Sequence, residues 1–319
     1  VKILLTGPFG NVGSHTIPEL LREGHQVRAF DLESPETRKA AKELGKKVET
    51  VWGDVRDARA VALAVEGMDA VIHLAAIIPP GSDEDPPRAR AVNVDGTANV
   101  VKAAQGRSRK PKVLFISTFD VHGRTQQRPP PRKVTDPVVA TDVYTESKIA
   151  AEALVRDSGL EWCIFRLVDV PILGLRDPHP IMFEIGLDNR IESIHADDAA
   201  TAIARGLRTP AVWGRTLFIG GGKSCQLTYR EFLKRMLGAM GMEMLPEEAF
   251  TDSEYATDWV DSTESQELLR YQRRTFDDIT GDIAKCLGWK KAFVPMASSM
   301  VKKKMLEMSP YWRQRQRQR

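Results

Sequence analysis

The first thirty-one residues constrain this chain more than any other stretch. Val1 to Leu5 is a short apolar run of the kind that forms a strand buried on both faces of a parallel sheet. Gly7, Gly10 and Gly13 follow at intervals of three. A strand that turns tightly into a helix needs one residue without Cβ at the turn. It needs a second where the backbone approaches a pyrophosphate, and a third where helix and strand pack closely. The N–H groups that open the helix then point at the phosphates. Phe9, Asn11 and Val12 share that turn and join the glycines as candidate dinucleotide contacts.

After an amphipathic helix marked by Ile17, Leu20 and Leu21, a second strand from Gln26 to Phe30 ends in Asp31. An acid there accepts hydrogen bonds from both hydroxyls of an adenosine ribose and repels a 2′-phosphate. NAD rather than NADP is therefore expected, with Arg28 and Arg38 as the cations that could reverse the preference.

The chain has 319 residues and a net charge of +3, enough length for one large core or two that share an interface. No apolar run approaches the roughly 18 to 20 residues of a membrane span, and the chain opens directly on a strand, so a cytoplasmic protein is expected. Cys163, Cys225 and Cys286 are few, odd in number and far apart, which suits reduced thiols and gives no metal-ligand spacing. The charge is uneven. Residues 302–319 carry a net +6, leaving residues 1–301 at −3, so the tail is either a basic arm or a frayed end. No aromatic-basic interleaving elsewhere points to nucleic acid.

Along the chain, a polar helix from Ser34 to Leu44 leads to a third strand, Lys47 to Trp52, and to Gly53-Asp54-Val55. Asp54 at a strand's C-terminal end could accept from an adenine amino group, or cap the helix that holds Val61 to Val65. Met68 to Ala76 is a fourth strand whose closing residues, Leu74, Ala75 and Ala76, are small enough at the end to let a cofactor approach. Residues 79–87 read as a loop at the mouth of the site, 88–105 as a helix, and Val113 to Ser117 as a fifth strand. Tyr144 and Lys148 then open another helix.

Thr6-Gly-x-x-Gly-x-x-Gly13, Asp31, Gly53-Asp54, His73-Leu-Ala-Ala76, Asn93-Val-x-Gly-Thr97 and Tyr144-x-x-x-Lys148 stand in one order over about residues 1–220. That series resembles the extended short-chain dehydrogenase/reductase family, of the NAD-dependent epimerase/dehydratase type. The resemblance implies that Asn93 lies at the cofactor. It also implies that Thr118 falls on the catalytic Ser/Thr position, with Ser117 just before it, and that Arg166 belongs to an Arg-Pro segment near the nicotinamide. Helices 88–105 and 142–157 would pair across a homodimer. Sugar dehydratases resembling this chain place two acids after the threonine. Here those positions hold Phe119 and Asp120, so that mechanism lacks a part, and His122 replaces a usual tyrosine.

The Tyr144–Lys148 spacing places a phenol and an ammonium one turn apart on one helix face. A cation next to a phenol brings its pKa toward the working range, and hydride transfer at a carbon bearing oxygen needs such a proton carrier. The proline-rich, basic stretch 124–141 reads as a surface flap whose cations attract an anionic substrate or simply keep it solvated. In Ile194-His195-Ala196-Asp197-Asp198, which matches a signature of the family, the acids are expected to cap the following helix, with His195 outside the chemistry. Only 28 residues separate Arg166 from His195, short for a segment that grips a nucleotide sugar in the family. The methionines Met236, Met240, Met242, Met244, Met296, Met300, Met305 and Met308, with Trp259, read as ordinary core or as an apolar pocket.

The expected fold is a doubly wound α/β sheet over residues 1–170, completed by about 194–220. A small, mostly helical substrate region follows from about 171–193 and 221–319. The expected activity is NAD-dependent redox chemistry on a small molecule through Tyr144, Lys148 and Thr118. A sugar or nucleotide-sugar epimerase or dehydrogenase comes first, a dehydrogenase of a less polar alcohol or ketone second, and a non-catalytic NAD sensor third.

Overall fold

The computed structural model describes residues 1–174, 178–288 and 294–318, without the side chains of 294–298 and 317–318. Met296 and Arg319 therefore lie outside the described residues. Seven parallel strands form one sheet. They are β1 (Lys2–Thr6), β2 (Gln26–Asp31), β3 (Glu49–Trp52), β4 (Ala70–His73), β5 (Lys112–Thr118), β6 (Trp162–Leu167) and, after a short β7 (Arg190–Glu192), β8 (Thr216–Ile219). Their order, β3-β2-β1-β4-β5-β6-β8, reverses direction beside β1. Open α/β sheets bind ligands at such a switch point, outside the carboxyl ends of the strands.

Period-2 alternation assigns each face. Ile3 and Leu5 pack with Ile17 and Leu20 of α1 (Asn11–Arg22) and with Ala199 and Ile203. Leu4 points the other way, onto Val61 and Val65 of α3 (Ala58–Val65), which follows α2 (Pro35–Leu44) in the chain. In β5, Val113 and Phe115 meet Ala151 and Val155, whereas Leu114 and Ile116 join the opposite layer.

The stretch after β4 is more helical than its prolines suggest. Helical turns begin at α4 (Gly81–Glu84) and α5 (Pro86–Arg90), widen to a π turn over Ala91–Asp95, and only then settle into α6 (Gly96–Gln105). Asn93 sits in the wide turn. Its amide accepts from the Ile77 N–H at 2.7 Å and donates to the Ile77 carbonyl at 2.9 Å, tying the helix to the loop that follows β4. Next come α7 (Val143–Arg156) and α8 (Ala196–Gly206), which packs on α1.

A two-stranded antiparallel sheet of β7 and β9 (Gln226–Thr228) begins a second core. Phe183, Leu187, Tyr229, Leu233, Leu237, Phe250 and Met305 fill it, with Met240, Met242, Met244 and Met308 packed alongside. Most of the described methionines are thus core, although Met300 is exposed. The remaining helices are α9 (Tyr229–Ala239), α10 (Thr263–Leu269), α11 (Phe276–Leu287), α12 (Val294–Met308) and α13 (Pro310–Gln318). The basic tail is folded rather than frayed. Ser309 Oγ donates to the Ala249 carbonyl at 2.5 Å, Tyr311 Oη donates to Glu184 at 2.6 Å, and the arginines of the closing repeat that are described stay exposed.

Candidate active site

The glycine turn is built to admit a phosphate and little else. Gly7 has φ +67°, and a Cβ there would meet the Ala75 backbone nitrogen at 2.9 Å. A Cβ on Gly13 would lie 2.2 Å from the Gly7 carbonyl oxygen, so α1 and the turn close together only with glycine. Gly10 is the N-cap of α1 and supplies no side-chain acceptor, and no acid occupies the first turn. That end of the helix suits an anion supplied from outside. Asn11 donates to the Val170 carbonyl at 2.8 Å, linking the turn to the segment after β6. These residues fit a dinucleotide pyrophosphate.

Asp31 closes β2, and its carboxylate accepts from the Leu32 N–H at 2.8 Å and the Phe9 N–H at 3.4 Å. Burial pushes its pKa above the ordinary carboxylate range. Phe9 packs against Trp52 with ring centroids 5.9 Å apart, walling this side of the cleft. The two cations that could have welcomed a 2′-phosphate are committed elsewhere. Arg28 donates to the carbonyls of Ala64 and Glu66 and pairs with Glu49, and Arg38 pairs with Glu33.

Asp54 does not cap the next helix. Asp57 does, accepting from the N–H groups of Arg59 and Ala60, whereas Asp54 holds the Arg56 guanidinium. Val55 is buried beneath Gly96. The loop Leu74–Ala76 is positioned by a relay that sequence reasoning did not foresee. Thr6 Oγ1 accepts from the N–H groups of Leu74 and Ala75 at 3.2 Å each and contacts His73 Nδ1 at 2.7 Å. His73 Nε2 in turn lies 3.0 Å from Thr97 Oγ1. Burial lowers the His73 pKa to about 3, so the ring is neutral.

The chemistry gathers at the carboxyl end of β5. Asp142 caps α7 by accepting from the Thr145 N–H at 2.7 Å, and Thr145 answers with a hydroxyl that receives the Asp142 N–H. The cap fixes the first turn, where Tyr144 is buried with its phenol within hydrogen-bond reach of Thr118. One turn on, Lys148 donates to the Ile116 carbonyl at 2.8 Å, its ammonium 4.9 Å from the Phe115 ring centroid and 6.0 Å from that of Tyr144. Ser117, on the other face of the strand from Thr118, is buried beside Glu152.

The electrostatics differ from the simple expectation that Lys148 draws the phenol down. Burial and the neighbouring Asp120 carboxylate push the Tyr144 pKa above its ordinary value, and burial pulls Lys148 down to about 8. Desolvation outweighs the single nearby cation. Asp120 is itself pushed up to about 7, chiefly by burial. Tyr255, contributed from more than 240 residues beyond the glycine turn, is half-buried and feels Asp120, Asp142, Asp83 and Glu184. No local pattern marks it or these carboxylates as neighbours.

Arg166, expected near the nicotinamide, is buried and paired with Glu152, because an arginine in the middle of the sheet needs a carboxylate partner. Two further expectations change. His195 caps α8, accepting from the Asp197 N–H, and the adjacent acids instead tie the helix to its neighbours. Asp198 accepts from the N–H groups of Arg273 and Arg274, and Asp197 meets His15. The flap 124–141 is fastened down. Thr125 and Arg190 both bond Asp258, and Arg132, buried beside that carboxylate, joins residues 259–261 through its backbone.

A doubly wound sheet with an uncapped helix N-terminus at its switch point defines a dinucleotide-binding α/β protein. The chain belongs to the NAD dependent epimerase/dehydratase family, which it matches over residues 3–170. It is 35% identical over 159 residues to a 3 beta-hydroxysteroid dehydrogenase/Delta 5-->4-isomerase of Mycobacterium tuberculosis, a match that covers 48% of this chain and 42% of that protein. A UDP-glucose 4-epimerase of Lacticaseibacillus casei is 30% identical over 220 residues, 63% of this chain and 65% of the relative. The matches thus span less than two thirds of those relatives. Among solved structures, UDP-glucuronic acid 4-epimerase from Bacillus cereus, in complex with UDP-glucuronic acid and NAD, superimposes with a TM-score of 0.76. Its identity is 20%, covering 90% of this chain and 99% of that one. The dTDP-glucose 4,6-dehydratase DesIV from Streptomyces venezuelae gives 0.76 at 22% identity, covering 92% and 98%.

Proposed function

We propose that this chain is an NAD-dependent oxidoreductase acting at a carbon that bears a hydroxyl or carbonyl group, and that the substrate is an uncharged alcohol or ketone of low polarity. The observation that carries the chemistry is the convergence of the Tyr144 and Thr118 hydroxyls above the Lys148 ammonium at the end of β5. NAD supplies the hydride acceptor at that site. Tyr144 holds the proton exchanged with the substrate oxygen, and Thr118 donates to the same oxygen and keeps it against the phenol. Lys148, held on the Ile116 carbonyl, stabilises the phenolate when the proton leaves and would hold the nicotinamide ribose when NAD is bound. The raised Tyr144 pKa keeps the phenol protonated, so in reduction it is available to give its proton to the more basic alkoxide. In oxidation it depends on positive charge nearby.

The substrate class rests on the mouth of the site. The carboxylates of Asp83, Asp120, Asp142 and Glu184 act on Tyr255, and Asp120 and Asp142 act on Tyr144, a field that disfavours a diphosphate. Ile78, Val138, Val139 and Ile172, in the loops that follow β4, β5 and β6, leave large apolar side chains exposed. The steroid dehydrogenase relative supports the same reading. Nucleotide-sugar epimerisation is the second reading, supported by the UDP-glucose 4-epimerase relative. There, oxidation followed by re-reduction on the opposite face would use no net NAD.

A thermal-shift panel on NAD-saturated protein separates the two, comparing UDP, dTDP, GDP and ADP with hydroxysteroids and smaller apolar alcohols. A ligand at a hundred times its dissociation constant stabilises the native state by about 2.7 kcal/mol. A shift with the apolar set, accompanied by NADH formation, is expected. A shift with one nucleoside diphosphate alone would overturn the substrate class. The variant Tyr144→Phe should lose turnover by about 10²- to 10⁴-fold while binding NAD unchanged, and full activity in it would remove the oxidoreductase reading.

A further inference from the structure

We propose that Glu152 and Arg166 form a positioning pair for Lys148, a buried ion pair one helical turn behind the lysine that balances the charge around it and fastens the flap beside the same site. The proposal rests on the oxidoreductase reading only in calling Lys148 catalytic. Its geometry is independent of it.

Tyr144, Lys148 and Glu152 succeed one another at four-residue intervals, so α7 carries all three on one buried face. From β6, Arg166 meets both oxygens of Glu152. Its Nε donates to Oε1 at 2.9 Å and its Nη2 to Oε2 at 2.7 Å. The two side chains are 4% and 1% exposed, which is burial deep enough that each charge depends on the other. Arg166 spends its remaining nitrogen outward. Nη1 donates to His122 Nε2 at 2.9 Å and to the Val134 carbonyl at 3.2 Å. His122 Nδ1 then donates to the Pro137 carbonyl at 3.1 Å. The histidine is neutral, its pKa lowered to about 4 chiefly by burial and then by Arg166, which suits a ring that accepts at one nitrogen and donates at the other. One guanidinium thus joins the lysine's helix, the turn that follows Thr118 and the flap, directly at Val134 and through His122 at Pro137.

The charges around Lys148 make the pair more than structural. On its own helix it has Tyr144 and Glu152, with Arg156 paired to the outer side of that carboxylate. From β4 it faces neutral His73, Asp120 in the loop after β5 acts on Tyr144, and from β6 comes Arg166 behind Glu152. Burial drives Lys148 toward its neutral form, and Glu152 is the group that opposes this. Loss of Glu152 would therefore leave Lys148 buried near an unbalanced Arg166. Loss of Arg166 would leave Glu152 held only by the half-buried Arg156, so that Lys148 feels more of the carboxylate. The two substitutions must move the lysine in opposite directions, whereas a purely structural pair would give two variants damaged alike.

The test is the ionisation of Lys148 itself, followed between pH 6 and 11 by the Cε resonance of protein labelled with 13C-lysine and assigned by its disappearance in Lys148→Met. In the unaltered protein the midpoint should fall near 8. Glu152→Gln should lower it by about one pH unit or more, and Arg166→Gln should raise it by a similar amount. Glu152→Asp, which keeps the charge but retracts it by one methylene, should lower it less than Glu152→Gln. It also serves if the glutamine variant does not fold. Midpoints that stay in place, or that move the same way in the Glu152 and Arg166 variants, would overturn the proposal. Because the readout is not turnover, that result would leave the oxidoreductase reading standing. The expected midpoints in a protein that forms no NADH from any substrate would remove the reading and keep the pair.

Discussion

Replacing Asp31 by Asn tests the cofactor end of the site quantitatively. The Asp31 carboxylate is held in place by the N–H groups of Leu32 and Phe9 at the end of β2, and both nearby arginines are committed elsewhere. A 2′-phosphate of about −1.5 charge placed roughly 5 Å from it, at an effective dielectric of about 40, is opposed by about 2.5 kcal/mol. NADP also forfeits the charge-assisted hydrogen bonds that ribose hydroxyls would make, worth about 1.5 to 3 kcal/mol. The unaltered protein should therefore prefer NAD by two orders of magnitude or more. Asp31→Asn should weaken NAD by about tenfold and strengthen NADP by a similar factor or more, as measured by calorimetric titration with both nucleotides at low salt. The pH dependence gives a second check. Burial holds the Asp31 pKa above the ordinary carboxylate range, so its charge disappears as pH falls through that raised value. Discrimination against NADP should fade toward acid in the unaltered protein and stay flat in the variant. Equal affinity for NAD and NADP in the unaltered protein, or an unchanged ratio in Asp31→Asn, would refute the reasoning.

Gly13→Ala would drive a Cβ to 2.2 Å from the Gly7 carbonyl and 2.8 Å from Pro8 backbone atoms, none of which can rotate away. NAD affinity should fall by at least tenfold, since overpacking of this kind costs about 1 to 3 kcal/mol. Asp120→Asn removes a negative charge that raises the Tyr144 pKa. The rise of the oxidation rate with pH should move to lower pH, and a rise that moved up or stayed put would rule out direct influence on the phenol. Asp142→Ala removes the capping box of α7. It should cost about 1 kcal/mol, read as a lower urea midpoint with an unchanged slope.

Much of the cofactor end was legible because its determinants are local. The glycine spacing, the strand that ends in Asp31 and the acid's distance from the turn all lie within one βαβ unit, where backbone geometry leaves few alternatives. Tyr144 and Lys148 were legible for the same reason, since four residues along a helix make one face. The Arg166–Glu152 pair was not legible because the partner is 14 residues away on another element, and only the packing of α7 on β6 brings Glu152 to it. For Asp54 the sequence left two readings open, and the structure removed one of them: two acids three residues apart compete for one helix end, and the turn geometry gave the cap to Asp57. The flap's basic residues suggested an anionic ligand, but Arg132 is folded in beside Asp258, a residue distant in sequence.

Taken by itself, the amino-acid order determined that this chain is a doubly wound nucleotide fold with a Tyr–Lys pair at its carboxyl edge. Those features repeat at the periods of strands and helices and need no distant partner. Only the tertiary structure decided the state of the groups so placed. Whether Lys148 is charged, how firmly Tyr144 keeps its proton and what Arg166 serves depend on burial and on carboxylates brought together from the turn after β5 and from α7 and its cap. Desolvation and Coulomb forces act through space, and space is assigned by packing rather than by position in the chain.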